Sequence, residues 1–517
     1  MKRFVFIGIV LSVCFESYSQ GFVDNALLFS RTTPGGSARI QALGGAQVSL
    51  GGDYSSALSN PAGLGMYNRS EFTFSPSYSV NNTTASYLGE SQKDGKSTFN
   101  IPGISYVFNH KTNKETGFLG GSLGLSLSRI NDHNTSYRYG GSNNQSSIID
   151  YFIDDAYNYD PQEMLVGGYD FYNLTALAYN NYLIEDYYNN NNLIYGSVLS
   201  PLPADPGNGI PAEIRTVRQA ETFESKGAQN QWNISYGANF NDKFFIGAGV
   251  GIATLRYKLK VRYSESDFSF DQDPTYNPID NFNVEENLDI EGAGVNFTLG
   301  MIFRPIDHVQ VGASVVTPTF YQITDSYFSR VDSQWNNFDY YDDGTTILNN
   351  VSEEFDTPLI SDYNLTTPFK FSAGITLMSK SGFISGDVEM VNYGKTKYSA
   401  DTQGISFSGD NQEIRQSYSS VINYRVGGEF RYNLFRVRAG YRFMADPYED
   451  NDGVDRSIQT ISGGLGVKKD KFFVDMAVVY SNGDDRRIPY TAPDKPTPAA
   501  LLENKFTSYI LTVGFSF

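Results

Sequence analysis

Period-two alternation runs to the last residue of this 517-residue chain. In "TSYILTVGFSF", Tyr509, Leu511, Val513, Phe515 and Phe517 are apolar, with Ser508, Ile510, Thr512, Gly514 and Ser516 between them. That is a strand with one apolar and one mostly small or polar face. Chain ends usually fray, so a terminus patterned this way belongs to a wall. The pattern recurs in "GGSLGLSLS", where Leu123, Leu125 and Leu127 alternate with Ser and Gly, and in "LFRVRAGYRF". Fourteen such segments are expected: 70–82, 98–109, 116–131, 228–240, 243–263, 287–304, 306–326, 367–379, 381–393, 416–432, 434–445, 456–469, 471–482 and 505–517. Short turns ("ND", "RPID", "KSG", "RYNL", "KKDK") alternate strictly with long connections (83–97, 132–227, 264–286, 327–366, 394–415, 446–455 and 483–504). Even strand number, short turns on one side and long loops on the other are the rule for bacterial outer-membrane barrels. A soluble sandwich or propeller has no reason to obey it. The expected fold class is all-β: a transmembrane antiparallel β-barrel of 14 strands over 70–517, both ends on the short-turn side.

The start of the chain supplies an address. Lys2 and Arg3 precede an apolar run from Phe4 to Val13 and small residues at Ser17 and Ser19. This predicts a signal peptide over 1–19, too short to span a membrane as a helix. A lipoprotein signal at Cys14 is the alternative, disfavoured by Val13. Cleavage after Ser19 removes the single cysteine, and with it any disulfide framework or thiolate metal site. No later stretch is apolar enough for a membrane helix, yet the chain is rich in Gly (49), Tyr (37) and Phe (37). A closed barrel crosses a bilayer without long apolar runs. A net charge of -18 argues against nucleic acid and anionic lipid as attractive partners.

Residues 20–69 do not fit as barrel strands. They read "TTPGGSARIQALGGAQVSLGGDYSSALSNPAGLGMYNRS" across most of their length. A Gly-Ala-rich run, an Asp, small residues and then Asn-Pro-Ala resemble the N-terminal plug of the FadL-type long-chain fatty acid and hydrocarbon transporters. The matching residues are Gly44, Gly45, Ala46, Asp53, Ser55, Asn60, Pro61, Ala62 and Gly63. Asn60-Pro61 favours a turn, because Pro biases its predecessor away from helix. The family barrel has fourteen strands, so the resemblance covers the mature chain. It implies an outer-membrane protein with a plug over 20–69. The 132–227 connection departs from the best-known transporters in its length and its Tyr and Asn content; Leu174, Leu177 and Ala178 are expected on one helical face.

Enzymatic constellations are missing. Of three histidines, His110 and His308 fall at short turns and His133 opens the largest loop, so no triad or metal site is expected. Some family members are labelled haemin receptors; haem ligation from outside would have His133 or a Tyr to use. The acidic stretches "SESDFSFDQDPTYNPID" and "DPYEDNDGVD" lack EF-hand spacing, and solvated loop charge is the simpler reading. No cofactor is expected. Alternation points Arg425 and Glu429 inward on one strand and Arg438 and Arg442 inward on the next; matching them across the "YNL" turn sets Glu429 against Arg438 and Arg425 against Arg442. These arginines either stiffen the interior through ion pairs or attract an anionic head group.

In "GVGIATLRYKLKVRY", Ile246, Ala248, Val250 and Ile252 are expected to face lipid. Continued in phase, Arg256, Lys258, Lys260 and Arg262 then point outward toward lipopolysaccharide phosphates. Leu255, Tyr257, Leu259 and Val261 point inward as a candidate pocket for a hydrophobic ligand. A bulge near Thr254 would reverse the assignment.

The resemblance implies passive uptake of a hydrophobic or amphipathic small molecule such as a long-chain fatty acid, captured at the extracellular loops, with sideways exit through the barrel wall where a strand is kinked. Candidate kinks are Pro102-Gly103 and Gly120-Gly121; both also suit barrel curvature. The competing reading is a barrel of the same family that serves type IX protein secretion. Expected partners are the hydrophobic ligand, outer-membrane lipid and lipopolysaccharide, and the barrel-assembly machinery through Phe517.

Overall fold

The computed structural model describes residues 21–168, 171–189, 192–199, 214–270, 276–402, 404–450, 452–492 and 495–517. The predicted signal peptide, with Cys14, lies outside the described residues.

Fourteen antiparallel strands close into one barrel. They are β1 Glu71–Tyr87, β2 Glu90–Lys111, β3 Phe118–Asp132 (running on as Thr135–Asn143), β4 Ile214–Phe240, β5 Phe244–Phe270, β6 Ile279–Ile306, and β7 Val309–Val316 with Phe320–Asp339. Then follow β8 Leu359–Thr366 with Lys370–Ser379, β9 Gly382–Asn392, β10 Ser420–Tyr432, β11 Phe435–Met444, β12 Ile458–Lys469, β13 Phe472–Arg487 and β14 Ala500–Ser516. Pro318 and Pro368 fall in the gaps of β7 and β8, where a residue without N–H cannot donate to the ladder. β14 closes on β1, pairing Phe515 with Phe72, and the Phe517 amide donates to Ser70 O at 2.9 Å. At the short-turn end, Asn241, Asp242, Asn433 and Asp470 take positive φ, a conformation Asn and Asp tolerate.

The strands are longer than the alternation alone predicts. The expected loop 83–97 is instead a continued β1–β2 hairpin turning at Leu88-Gly89, and β5 and β6 reach Phe270 and Ile279. A bilayer needs only ~9–11 residues per strand, so the long-loop end of the barrel projects far beyond it. The described part of the largest connection folds as a cap. Its helices α2 (Ile148–Ala156) and α3 (Leu174–Asn180) bury Ile148, Phe152, Leu174 and Leu177 against Tyr263, Phe282 and Trp335 of the strand extensions. A capping box at Ser147 and Asp150 starts α2. It sits on the buried carboxylate of Glu265, which accepts from Ser147 Oγ and Ile148 N.

Residues 21–69 pack inside the barrel. Gln47 N and Val48 N donate to Asp387 Oδ2 of β9 at 2.6 and 2.9 Å. Asn60 Oδ1 accepts from Ala62 N at 3.2 Å. Asn60 Nδ2 reaches the carbonyls of Val48, Met301 and Ala313 at 2.6, 3.1 and 3.3 Å. Gly440 of β11 lies against Leu43-Gly44: a Cβ there would meet Gly44 N at 2.2 Å, so backbone touches backbone only because the side chain is missing. Arg39 Nε lies 3.6 Å from Glu429. Asp53, from the same motif, accepts from Ser37 Oγ and Ser55 Oγ, both at 2.7 Å, and so fixes the segment's own fold.

Candidate lumenal binding site

Helix α1 (Phe22–Ser30) crosses the lumen above this packed segment. Its N-terminal residue Phe22 stands edge-on to Tyr363, Tyr398 and Phe407, with ring centroids 5.0–5.3 Å apart. Ala26, Leu27 and Phe29 pack into a cluster with Leu255, Tyr257, Leu259, Val261 and Leu288. β5 runs in phase without a bulge at Thr254, so these β5 side chains do point inward. The chamber they line is filled by α1 instead of standing open.

Beside α1 a cavity of about 460 Å³ remains. Leu27, Leu28, Tyr137, Phe223, Val479 and Ile510 contribute apolar wall, while Asn100, Ser481, Arg31 and Arg442 contribute polar groups. Of the four predicted β5 pocket residues only Tyr257 borders it, while Leu255, Leu259 and Val261 pack in the cluster with α1.

The three inward arginines separate by partner. Register pairs Glu429 with Arg438 and Arg425 with Arg442, as alternation predicts. Arg438 is held between Glu429 (2.7 Å) and Asp475 (2.5 Å), and Arg425 contacts Glu389 at 2.8 Å. Both are spent on ion pairs. Arg442 is 5 % exposed and borders the cavity; it donates to Thr460 Oγ1 at 3.2 Å, its Nε has no acceptor, and among the described residues it makes no salt bridge, although the charge of Glu389 acts on it. A buried guanidinium without a carboxylate is costly, and an anion in the cavity would supply the missing acceptors. Arg31 Nε lacks a partner in the same cavity wall. Sequence reasoning put Arg442 in the lumen; its lack of a partner depends on β9 and β12 side chains and could not be read locally.

The barrel wall is interrupted at Pro76. Between β1 and β2 the register shifts from Ser75↔Gly103 to Ser77↔Asn100, setting Pro76 against Ile101-Pro102. On the other flank the β1–β14 ladder skips Ser75 and Pro76, between Phe74↔Val513 and Ser77↔Ile510. Two prolines without N–H face one another in one stretch of wall. On the barrel's outer surface at this place lies an apolar hollow of about 600 Å³, bounded by Pro76, Phe99, Leu465, Met476 and Tyr509. The lumenal cavity and this hollow share Ser77 and Ile510 in their walls. Gly120 and Gly121 lie instead at the short-turn end of β3 and border neither space, and the hydroxyl of Tyr54 covers the inner face of Gly103. Pro102 does border the cavity.

His133 is buried between the rings of Phe29 and Tyr257 (5.8 and 5.5 Å), and burial lowers its pKa to about 4. A neutral imidazole under α1 is not presented to haem from outside. Among the described residues no group of three metal-ligating side chains converges.

The superposition on known structures follows this geometry. A Pseudomonas aeruginosa FadL homologue matches over 94% of this chain and 99% of its own, with 12% sequence identity and a TM-score of 0.55. The chain has the fold of a FadL homologue. The toluene transporters TodX of P. putida and TbuX of Ralstonia pickettii also align over 94% of this chain and 99% of theirs, at 12% and 13% identity and a TM-score of 0.49 each. No protein-family model and no curated protein sequence matches the chain.

Proposed function

We propose that this protein carries hydrophobic small molecules with an anionic end, long-chain fatty acids among them, across a bacterial outer membrane. The observation that carries the reading is the seam at Pro76, where a lumenal cavity and a lipid-side apolar hollow share two residues of wall. The packed N-terminal segment acts as a plug beneath the cavity. With the straight path obstructed, a ligand leaves sideways into the bilayer, where its tail keeps about 25 cal/mol per Å² of apolar burial. Arg442, and Arg31 near it, hold the anionic end; Leu27, Phe223 and Ile510 face the tail.

Labelled oleate and toluene uptake by cells lacking the native protein and carrying variants tests this. Pro76→Val supplies the missing N–H and should slow release of both ligands. Arg442→Met should weaken oleate binding about tenfold or more, the scale of a lost charge-assisted contact, and leave toluene unaffected. Unchanged oleate handling in both variants refutes the reading.

A further inference from the structure

The outward cations predicted to meet lipopolysaccharide are already matched. Arg256 faces Glu291, Lys258 faces Asp289, and Lys260 and Arg262 share Glu285. The opposite end differs. Three neighbouring short turns, β8–β9, β10–β11 and β12–β13, bring together Lys380, Arg431, Arg436, Lys468, Lys469 and Lys471. Asp470 is the one exposed acid in this arc; Glu429 and Asp475 point inward to Arg438. Arg431 contacts Glu429, and Arg436 donates to the carbonyls of Asn433 and Phe435. All four lysines are exposed, and among the described residues none makes a salt bridge within 4 Å, although the charge of Lys468 acts on Glu71 and its Nζ lies 5.5 Å from the ring centroid of Phe473. On the outer surface beside them Phe430, Tyr432, Leu434, Phe435 and Phe472 are exposed. Aromatic side chains gather at the head-group level of a bilayer, so the lysines stand where lipid phosphates lie. The arc is cationic within a protein of net charge -18.

We propose that this arc binds anionic phospholipid head groups of the periplasmic leaflet. The proposal rests on the outer-membrane orientation above, not on the transport route. Charge complementarity selects the ligand: a phosphodiester without a compensating amine meets a cluster in which cations outnumber carboxylates, and each basic residue at such a surface strengthens binding by about fivefold.

The test incubates the full-length protein with mixed micelles of phosphatidylglycerol and phosphatidylethanolamine in equal amounts and counts retained lipids by native mass spectrometry. Phosphatidylglycerol should be retained preferentially, and about 0.5 M salt should reduce the preference. K468Q/K469Q/K471Q should lower it by up to about a hundredfold, with K380Q giving a loss of about fivefold. Heat-modifiable gel migration confirms that each variant is folded. Equal retention of both lipids by the native protein, or full preference in the triple variant, overturns the proposal. Displacement by millimolar inorganic phosphate would mark a free-phosphate site and also overturn it. Oleate uptake is measured on the same variants: unchanged uptake with lost lipid preference supports the proposal, and native lipid preference in a protein that fails to transport oleate counts only against the transport reading.

Discussion

Asn60→Ala tests whether the N-terminal segment is held to the wall by the motif that made it legible. Asn60 is fully buried, and its side-chain oxygen caps the turn at Ala62 N. Its two amide hydrogens are shared among the carbonyls of Val48, Met301 and Ala313. Loss of a cap costs about 1 kcal/mol. Loss of two amide hydrogen bonds costs about 1 kcal/mol each. The sum, roughly 3 kcal/mol, raises the local opening constant by about two orders of magnitude. The barrel ladders do not use this side chain, so the wall should survive. Hydrogen exchange of the purified protein is the direct assay: amides of 44–66 should lose protection by about that factor while β9–β12 amides keep theirs. Permeability of cells to large antibiotics should rise with it. Native exchange rates over 44–66 in the variant, with Asn60 truncated and the barrel intact, would refute the idea that this residue pins the plug.

Asp387→Ala should loosen the same segment from the β9 side, because two buried amides, Gln47 N and Val48 N, lose a charged acceptor; ~2–4 kcal/mol is expected, read as faster exchange at 47–48, and unchanged exchange there would count against it. A pH effect should appear in the cap. Burial lifts Glu265 and Glu286 to about 7 from an ordinary value of 4.5. The folded state therefore binds more protons than the unfolded state between those values, so this contribution is complete below about pH 4.5 and is lost as pH rises through about 7. The loss for Glu265 is on the order of 3 kcal/mol. After correction for intrinsic rates, α2 amides should exchange faster at pH 8 than at pH 5.5, and Glu265→Gln should flatten the dependence; a pH-independent native cap defeats this account. Deleting Phe517 should lower the yield of heat-modifiable barrel, since its amide ties β14 to Ser70 and its ring lies 5.7 Å from that of Tyr106; normal yield would show that the last residue is dispensable for assembly.

Period-two alternation is a local property, and what depends on it was readable. All fourteen strands, the β10–β11 register and the inward set of β5 follow from which residues alternate. Strand ends were not readable in the upper barrel. Beyond the bilayer the outer face meets water, so "NNTTASYLGESQKDGKSTFN" is polar on both faces and resembles a loop, while Leu88-Gly89 alone carries the turn. The Pro76 seam was half visible. Pro102 stood out in its strand, but the defect needs Pro76 opposite it and β14 behind it, a juxtaposition fixed by closure of the barrel.

What covers the β5 stripe was not legible for a related reason. An inward apolar stripe such as Leu255, Tyr257, Leu259 and Val261 must be covered by something, and the sequence offers two occupants: a ligand or the chain itself. The apolar face of α1, carrying Ala26, Leu27 and Phe29, takes the place. Substituting Leu259 therefore perturbs the seating of α1 first and the ligand only through it. Charge followed the same logic in reverse. Arg438, Arg425 and Arg442 look alike along their strands, and only the acids contributed by β9 and β13 tell them apart. Two arginines find carboxylates and become structural. The third makes no carboxylate contact and faces the cavity, which is why the proposed anionic end is assigned to it and not to Arg425, whose Nε is also without an acceptor.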